Sequence, residues 1–146
     1  MAIIDTTKKP YLQDKQSETF IGIKYPYKKS GGVEGWFESS STTIESVKDD
    51  IKMLLSTERG ERLMQPRLGL GLRKYLFDQI TGDKIQLIKN EIIESFSFWL
   101  PFVEIQSIEV SSGSEEIENQ KLNVSIIFNI NRDPRTLDGV SVTVGA

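Results

Sequence analysis

Apolar residues recur at helical spacing in two long stretches of the chain. The first stretch starts at Thr42, whose hydroxyl can accept a hydrogen bond from the backbone N–H of Glu45 in a capping box. We expect this helix to end at Gly60, because glycine adopts the left-handed cap conformation without steric cost. Its apolar side consists of Ile44, Val47, Ile51, Leu54 and Leu55, and its polar side of Lys48, Asp49, Asp50 and Lys52.

The second stretch predicts a longer helix. Asp83 is its expected cap, and Pro101 stops it because the proline ring clashes with the helical carbonyl four residues earlier. The spacing of its apolar side is three, four, four and three residues, which is unambiguous for a helix. This side consists of Ile85, Ile88, Ile92, Phe96 and Trp99.

A short connection joins the two helices. Pro66 favours an extended path for the residue before it, so residues 63–65 fit a short strand or crossover. Gly69 and Gly71 then predict a tight turn into a two-turn helix, with Leu72 and Leu76 facing inward. These glycines do not form a nucleotide-binding motif, because neither a third spaced glycine nor a Gly-Lys-Ser/Thr sequence accompanies them.

Alternating apolar and polar residues predict strands elsewhere. Residues 20–27 fit an edge strand, because Pro26 cannot donate to a ladder. The alternation over residues 103–111 changes phase, and a bulge near Ser107 would restore one buried face. The clearest strand has five alternating apolar residues, which are Leu122, Val124, Ile126, Phe128 and Ile130.

The C-terminal region also alternates. An acidic hairpin loop is expected over residues 113–120. Asp133-Pro134 is expected to end the strand that contains residues 122–130. Val140, Val142 and Val144 then predict an exposed tail that is competent to form a strand. An unpaired strand is a template for another chain.

Together these elements predict an α+β fold in a single small domain. Two main helices and a short one would pack on a small, mostly antiparallel sheet. Residues 1–18 are polar and broken by Pro10, so we expect a flexible arm or a segment ordered by a partner. Residues 19–146 would form the domain.

Composition excludes several classes of function. The 146 residues include no cysteine and no histidine, so disulfides and catalysis by thiolate or imidazole are excluded. The net charge of -3 argues against nucleic acid as a partner, because such a binder needs a basic face. No apolar run is long enough to span a membrane, so no membrane partner is expected.

Carboxylates are the remaining candidates for chemistry. Glu58 and Glu61 could be proposed as the acid pair of a glycosidase. Arg59 and Arg62 beside them would favour the ionised form, whereas a general acid needs an apolar pocket. Adjacent acidic residues on a helix point apart, which argues against a metal site at residues 49 and 50. We therefore predict no catalytic residue, no cofactor and no metal.

Trp36 and Phe37 lie in a long predicted surface loop. They could fold back onto the core as a plug, which is the interpretation we favour. The alternative is that they dock into another subunit, since exposed aromatic residues are common interface anchors.

The connection between the helices carries a family resemblance. Its parts are Leu54-Leu55, a Thr57-x-x-Gly60-x-Arg62 turn, a Pro66-x-x-Gly69 turn and Leu76-Phe77. This spacing, followed by a long helix, a proline and two strands, resembles the small baseplate-wedge, sheath-initiator family of contractile-tailed phages. Related members occur in type VI secretion and other contractile injection machines. The resemblance covers residues 44–131.

One departure from the family pattern follows the long helix. Members typically carry Glu-Pro-Arg there, whereas this chain has Leu100-Pro101-Phe102. A charge-based contact to neighbouring wedge proteins therefore does not carry over to Leu100 or Phe102. We expect a hydrophobic contact instead, or a site that has moved. Arg59 and Arg62 are the expected contact charges of the corner between the helices, whose charged face is either an interface or a solvated turn. Some family members are labelled lysozyme-like, but nothing in these residues supports that activity.

The resemblance implies a structural role rather than an enzymatic one. It implies a subunit of the virion's tail baseplate, assembled in the host cytoplasm, that joins wedge to tail and helps to initiate the sheath by strand exchange. Its partners would be other baseplate wedge proteins, tail tube or hub proteins and the sheath protein, in a symmetric assembly with several copies. Residues 122–130 and 140–144 would supply the sheet edges, and deletion of residues 139–146 would leave a folded protein that is unable to nucleate the sheath. The alternatives are a glycosidase or lysozyme-type hydrolase and a free cytoplasmic adaptor domain.

Overall fold

The computed structural model describes residues 20–30, 36–78, 81–111, 121–130 and 133–145. The predicted arm over residues 1–18 and the predicted acidic loop over residues 113–120 lie outside these ranges. The described elements confirm the α+β prediction. They are β1 (Gly22–Ile23), β2 (Ser39–Ser40), α1 (Thr43–Ser56), a 3₁₀ helix (Leu72–Tyr75), α2 (Gly82–Trp99), β3 (Val103–Ser111), β4 (Lys121–Ile130) and β5 (Asp133–Gly145).

Helix α1 begins as the sequence predicts and ends earlier. The Thr42 hydroxyl accepts the Glu45 N–H at 3.3 Å, so the predicted cap is confirmed. The helix ends at Ser56 rather than at Gly60, because the backbone of Thr57 is extended, with φ -80° and ψ 131°, while its hydroxyl donates to the Met53 carbonyl at 2.6 Å. Gly60 does have a positive φ of 89°, but it lies in the turn beyond the helix.

The polar side of α1 differs from the prediction at one residue. Asp49 is buried, with only 8% of its surface exposed, instead of facing solvent. Its carboxylate accepts from Lys52 Nζ at 3.2 Å, which offsets part of the cost of burying a charge. Partial desolvation and the Asp49 carboxylate raise the pKa of Asp50.

The connection after α1 contains turns instead of the predicted short strand. Leu63 and Met64 are almost fully exposed, at 95% and 93%. The predicted two-turn helix is a single 3₁₀ turn, Leu72–Tyr75, whose buried residues include Leu72 as expected. Leu76 is half-buried against the core.

Helix α2 follows the predicted apolar pattern. Ile88, Ile92 and Phe96 are at most 1% exposed, and Ile85 and Trp99 are half-buried. The cap residue is Thr81, whereas the expected Asp83 lies within the first turn. Neither long helix in the described ranges has the length and hydropathy that a membrane crossing requires.

A three-stranded antiparallel sheet in the order β3-β4-β5 forms the other layer. The predicted bulge near Ser107 is confirmed, because the β3-β4 register shifts between Ile105 and Ser107. All five alternating apolar residues of β4 are buried and contribute to one core. Helix α1 packs against β5 and α2 against β3, so both helices cover the same apolar face.

The C-terminal strand is part of this sheet, so the prediction of an exposed, unpaired tail is wrong. Strand β5 pairs with β4 from Lys121↔Gly145 to Ile130↔Asp133, with one register shift near its start. Val140 and Val144 are 4% and 8% exposed, and Val142 packs against the core. Asp133-Pro134 opens β5 instead of ending β4. The central position of β4 also rules out residues 122–130 as a sheet edge.

The N-terminal strand is shorter than predicted. Only Gly22–Ile23 of the expected residues 20–27 is a strand, paired antiparallel with β2 on the side of α1. Its partner β2 has just two residues, which limits the ladder. An isolated bridge between Lys29 and Phe37 continues the pairing toward the loop.

Candidate interaction surfaces

The corner after α1, residues 57–71, is fixed by backbone contacts. The Gly60 N–H donates to the Pro66 carbonyl at 2.9 Å, and the Leu70 N–H donates to the Thr57 carbonyl at 3.2 Å. Gly69 has a φ of 106°, and a Cβ atom there would overlap the Thr57 carbonyl oxygen. Only glycine fits this close approach, which lets Leu70 reach the core with no exposed surface.

The corner and the last turns of α2 enclose a groove of about 630 Å³. Arg59 stands at its corner side, where its Nε donates to the Gly69 carbonyl at 3.2 Å. On the helix side, the rings of Phe98 and Trp99 pack edge to face with their centroids 4.9 Å apart, and Phe98 is 70% exposed. We call this feature the corner groove; it is lined by Arg59, Pro66, Arg67, Glu94, Ser95, Ser97, Phe98 and Trp99.

The two arginines expected to act together lie in different surroundings. Arg59 lines the corner groove, whereas Arg62 Nη2 lies 3.1 Å from the Met53 sulfur of α1. The second arginine of the groove is Arg67, which sequence reasoning missed. No periodic pattern relates residues 59 and 67; the hydrogen bond between Gly60 and Pro66 folds the corner back on itself.

Glu58 and Glu61 do not form the site that a glycosidase requires. The Glu58 N–H donates to Glu61 Oε2 at 3.0 Å, and Glu61 is exposed. A general acid needs a carboxyl group in an apolar pocket, and Glu61 has none. Within the described ranges, no group of three acidic side chains could hold a metal ion.

The two loop aromatic residues remain at the surface. Trp36 is 79% exposed, with Lys29 Nζ 5.7 Å from its ring centroid, and Phe37 is 50% exposed, with its ring 6.1 Å from that of Tyr27. The favoured interpretation that they plug the core is therefore wrong. The backbone bridge between Lys29 and Phe37 holds Phe37 beside Lys29. Docking into another subunit is the interpretation that remains.

Leu100 and Phe102 stand where members of the resembled family typically carry charges, and their environments differ. Leu100 is 8% exposed and belongs to the core, and its N–H donates to the Phe96 carbonyl at 2.8 Å. Phe102 is 42% exposed. Only Phe102 is therefore available for a hydrophobic contact with a neighbour.

The sheet has two edges in the described part of the chain, β3 and β5. In the middle of β5, the Gly139 N–H donates to Asp138 Oδ1 at 2.8 Å, and Lys48 Nζ of α1 lies 2.7 Å from Asp138 Oδ2. Farther along, the Thr143 hydroxyl donates to Asn123 Oδ1 on β4 at 2.6 Å. Of the predicted contact residues on this strand, Val140 and Val144 are buried in the core and Val142 packs against it.

Comparisons with known proteins identify the family. The family described as baseplate wedge protein gp25 matches residues 41–135. A Geobacter sulfurreducens protein described as a tail lysozyme has 28% sequence identity and a TM-score of 0.62, with 73% of this chain and 93% of that chain covered. A chain of the anti-feeding prophage baseplate has 23% identity and a TM-score of 0.62, with 75% and 83% covered.

A search of curated proteins finds no significant match. The family match nevertheless spans well over half of the residues, from the cap of α1 into β5. The chain belongs to the family of baseplate wedge protein gp25.

Proposed function

We propose that this chain is a structural subunit of a contractile-tail baseplate that joins the wedge to the tail and helps to initiate the sheath by strand exchange. Family membership and the similarity to a baseplate chain support the structural role. Its neighbours would be other wedge proteins, tube or hub proteins and the sheath protein, with several copies in one symmetric assembly. The observation that carries the strand exchange is the uncharged run of residues 140–145 on the outer strand β5.

The two sheet edges differ in how well they suit an added strand. Strand β3 carries the exposed Glu104 and Glu109 and is interrupted by the bulge at Gln106. Charges and bulges are the devices that keep edge strands from pairing with other chains. Residues 140–145 of β5 have the sequence Val-Ser-Val-Thr-Val-Gly, without a charge, and pair with β4 without a register shift. We therefore assign strand addition to β5.

The direction of the N–H groups on β5 follows from two contacts. The short hydrogen bond between the side chains of Thr143 and Asn123 fits the closely spaced type of antiparallel pair. In this type of pair, neither residue's backbone N–H donates to the other residue. The Gly139 N–H donates to the Asp138 side chain, as expected if Gly139 also belongs to a pair without backbone hydrogen bonds. Because N–H direction alternates along a strand, Ser141 and Thr143 would present their N–H groups to an incoming strand.

Proline substitution tests this edge. Ser141→Pro with Thr143→Pro removes two outward N–H groups, and proline is tolerated at sheet edges. Expressed in cells that lack the native chain, this variant should enter baseplates yet give tails without sheath. The matched control, Ser141→Ala with Thr143→Ala, keeps both N–H groups and should give normal sheathed tails.

Two outcomes would contradict the proposal. Normal sheaths from a proline variant that is folded by circular dichroism would exclude β5 as the edge. If the double variant is unfolded, the single Ser141→Pro variant serves the same comparison. Absence of the chain from purified particles by mass spectrometry would remove the structural role itself.

A cell-wall hydrolase is the second candidate, because the similar Geobacter protein is described as a tail lysozyme. The exposed and hydrogen-bonded Glu61 gives this candidate little support. Purified protein should therefore leave peptidoglycan intact. Hydrolysis that is lost in Glu58→Gln with Glu61→Gln would establish the activity instead.

A further inference from the structure

We propose that the corner groove binds an acidic segment of a neighbouring protein, with the segment's carboxylates on Arg59 and Arg67 and one of its apolar side chains against Phe98 and Trp99. This surface is separate from the β5 edge, and the proposal does not depend on strand exchange. It stands on the shape, the charge and the exposed aromatic surface of the groove.

Charge complementarity selects the partner. Two arginines and one glutamate are among the residues that line the groove, so the charge of its lining is positive on a chain whose net charge is -3. Arg59 is anchored through Nε to the Gly69 carbonyl, which fixes the plane of its guanidinium. A guanidinium held in this way can bind a carboxylate through its Nη atoms in the bidentate geometry that gives specificity.

The aromatic side of the groove supplies an anchor site. A phenylalanine that is 70% exposed at the end of a helix costs free energy in water, because its apolar surface is hydrated. Contact of Phe98 with Trp99 presents two rings nearly at right angles, against which an aliphatic or aromatic side chain can pack. Aromatic and arginine side chains that meet in a pocket are the usual composition of binding hot spots.

The same residues disfavour other ligands. A nucleic-acid backbone would bring a row of phosphates past Glu94, on a protein that has no strongly basic face. A single inorganic anion would use the arginines and leave the rings exposed. A volume of about 630 Å³ accommodates several side chains of a peptide. An acidic segment with an apolar anchor satisfies all of these features.

The test begins with selection of binding peptides from a random twelve-residue display library on the full-length protein. The Trp36→Phe variant leaves Trp99 as the only tryptophan, since the chain has two. Its fluorescence then reports on the groove. Selected peptides should contain several Asp or Glu residues beside an apolar one and should shift Trp99 emission. Replacement of those acids by Asn or Gln should weaken binding at least tenfold.

Matched protein variants assign the binding to the groove. Arg67→Glu should weaken the selected peptides at least tenfold, whereas Arg73→Glu, an exposed arginine outside the groove, should change binding less than twofold. The substitution is made at Arg67 and not at Arg59, because the Arg59 side chain also hydrogen-bonds to the Gly69 carbonyl of the corner. Failure to select peptides, selected peptides without acidic residues, equal binding by Arg67→Glu or an unchanged Trp99 signal would each overturn the proposal. None of these outcomes bears on sheath assembly, which is tested separately.

Discussion

Asp138 links helix α1 to the edge of the sheet. Its Oδ2 lies 2.7 Å from Lys48 Nζ, and its Oδ1 accepts the Gly139 N–H at 2.8 Å. Both side chains of the ion pair are about one-third exposed, so the pair contributes less than about 1 kcal/mol to folding. Asp138 has its larger effect on the edge of β5. Its carboxylate accepts from the Gly139 N–H and places a charge where a strand could otherwise add.

Asp138→Ala should therefore change association more than stability. The substitution frees the Gly139 N–H and removes the charge, so we expect a shift from monomer toward dimer in analytical ultracentrifugation. The midpoint of thermal unfolding should fall by only a few degrees. Lys48→Ala is the control, since it removes the ion pair and keeps the carboxylate on the edge. Equal self-association of native protein and Asp138→Ala would show that this carboxylate does not guard the edge.

Adjacent isoleucines on β4 test the orientation of the strand. Ile126 is fully buried against the helices, whereas Ile127 is 38% exposed on the opposite face. Ile126→Ala should lower the free energy of unfolding by about 2–5 kcal/mol, because it leaves a cavity in the core. Ile127→Ala should cost much less. Urea denaturation measures both, and equal losses would contradict the register of the sheet.

Two glycines with positive φ predict different costs of an added methyl group. Gly60→Ala meets no atom within 4 Å, so only its backbone conformation is strained, by about 1–2 kcal/mol. Gly69→Ala adds an overlap with the Thr57 carbonyl oxygen to the same kind of strain. We expect the Gly69 variant to be clearly less stable in urea denaturation. Comparable stability of the two variants would mean that the corner does not close on Thr57.

Truncation tests the role of β5 in the core. Removal of residues 139–146 takes away Val140 and Val144, which are buried, together with most of the β4-β5 ladder. We expect this protein to lose its cooperative unfolding transition, contrary to the expectation from sequence. Removal of residues 145–146 alone should leave the transition in place. A folded product of the longer truncation, by circular dichroism, would show that β3 and β4 suffice.

The local parts of this fold could be predicted from the sequence. The alternation around Leu122 identified β4, its change of phase located the bulge near Ser107, and the spacing of Ile88 to Phe96 identified α2. These signals come from neighbouring residues along one element. They are strong because one face of each element is buried.

Strand pairing, the end of a helix and the path of a turn could not be predicted in this way. The pairing of β5 with β4 was missed because an alternating strand looks the same whether it is paired or not. The end of α1 follows from the extended backbone of Thr57, which the spacing of apolar residues does not mark. The corner groove depends on Arg67 returning beside Arg59, which only the turn between Gly60 and Pro66 brings about.

Cryo-EM of the assembled particle would show directly whether β5 receives a sheath strand. We expect a strand of the first sheath ring hydrogen-bonded to β5 along residues 140–145, ending where Asp138 occupies the edge. A solvent-exposed β5 edge in a sheathed particle, or a sheath strand added to β3 instead, would contradict it.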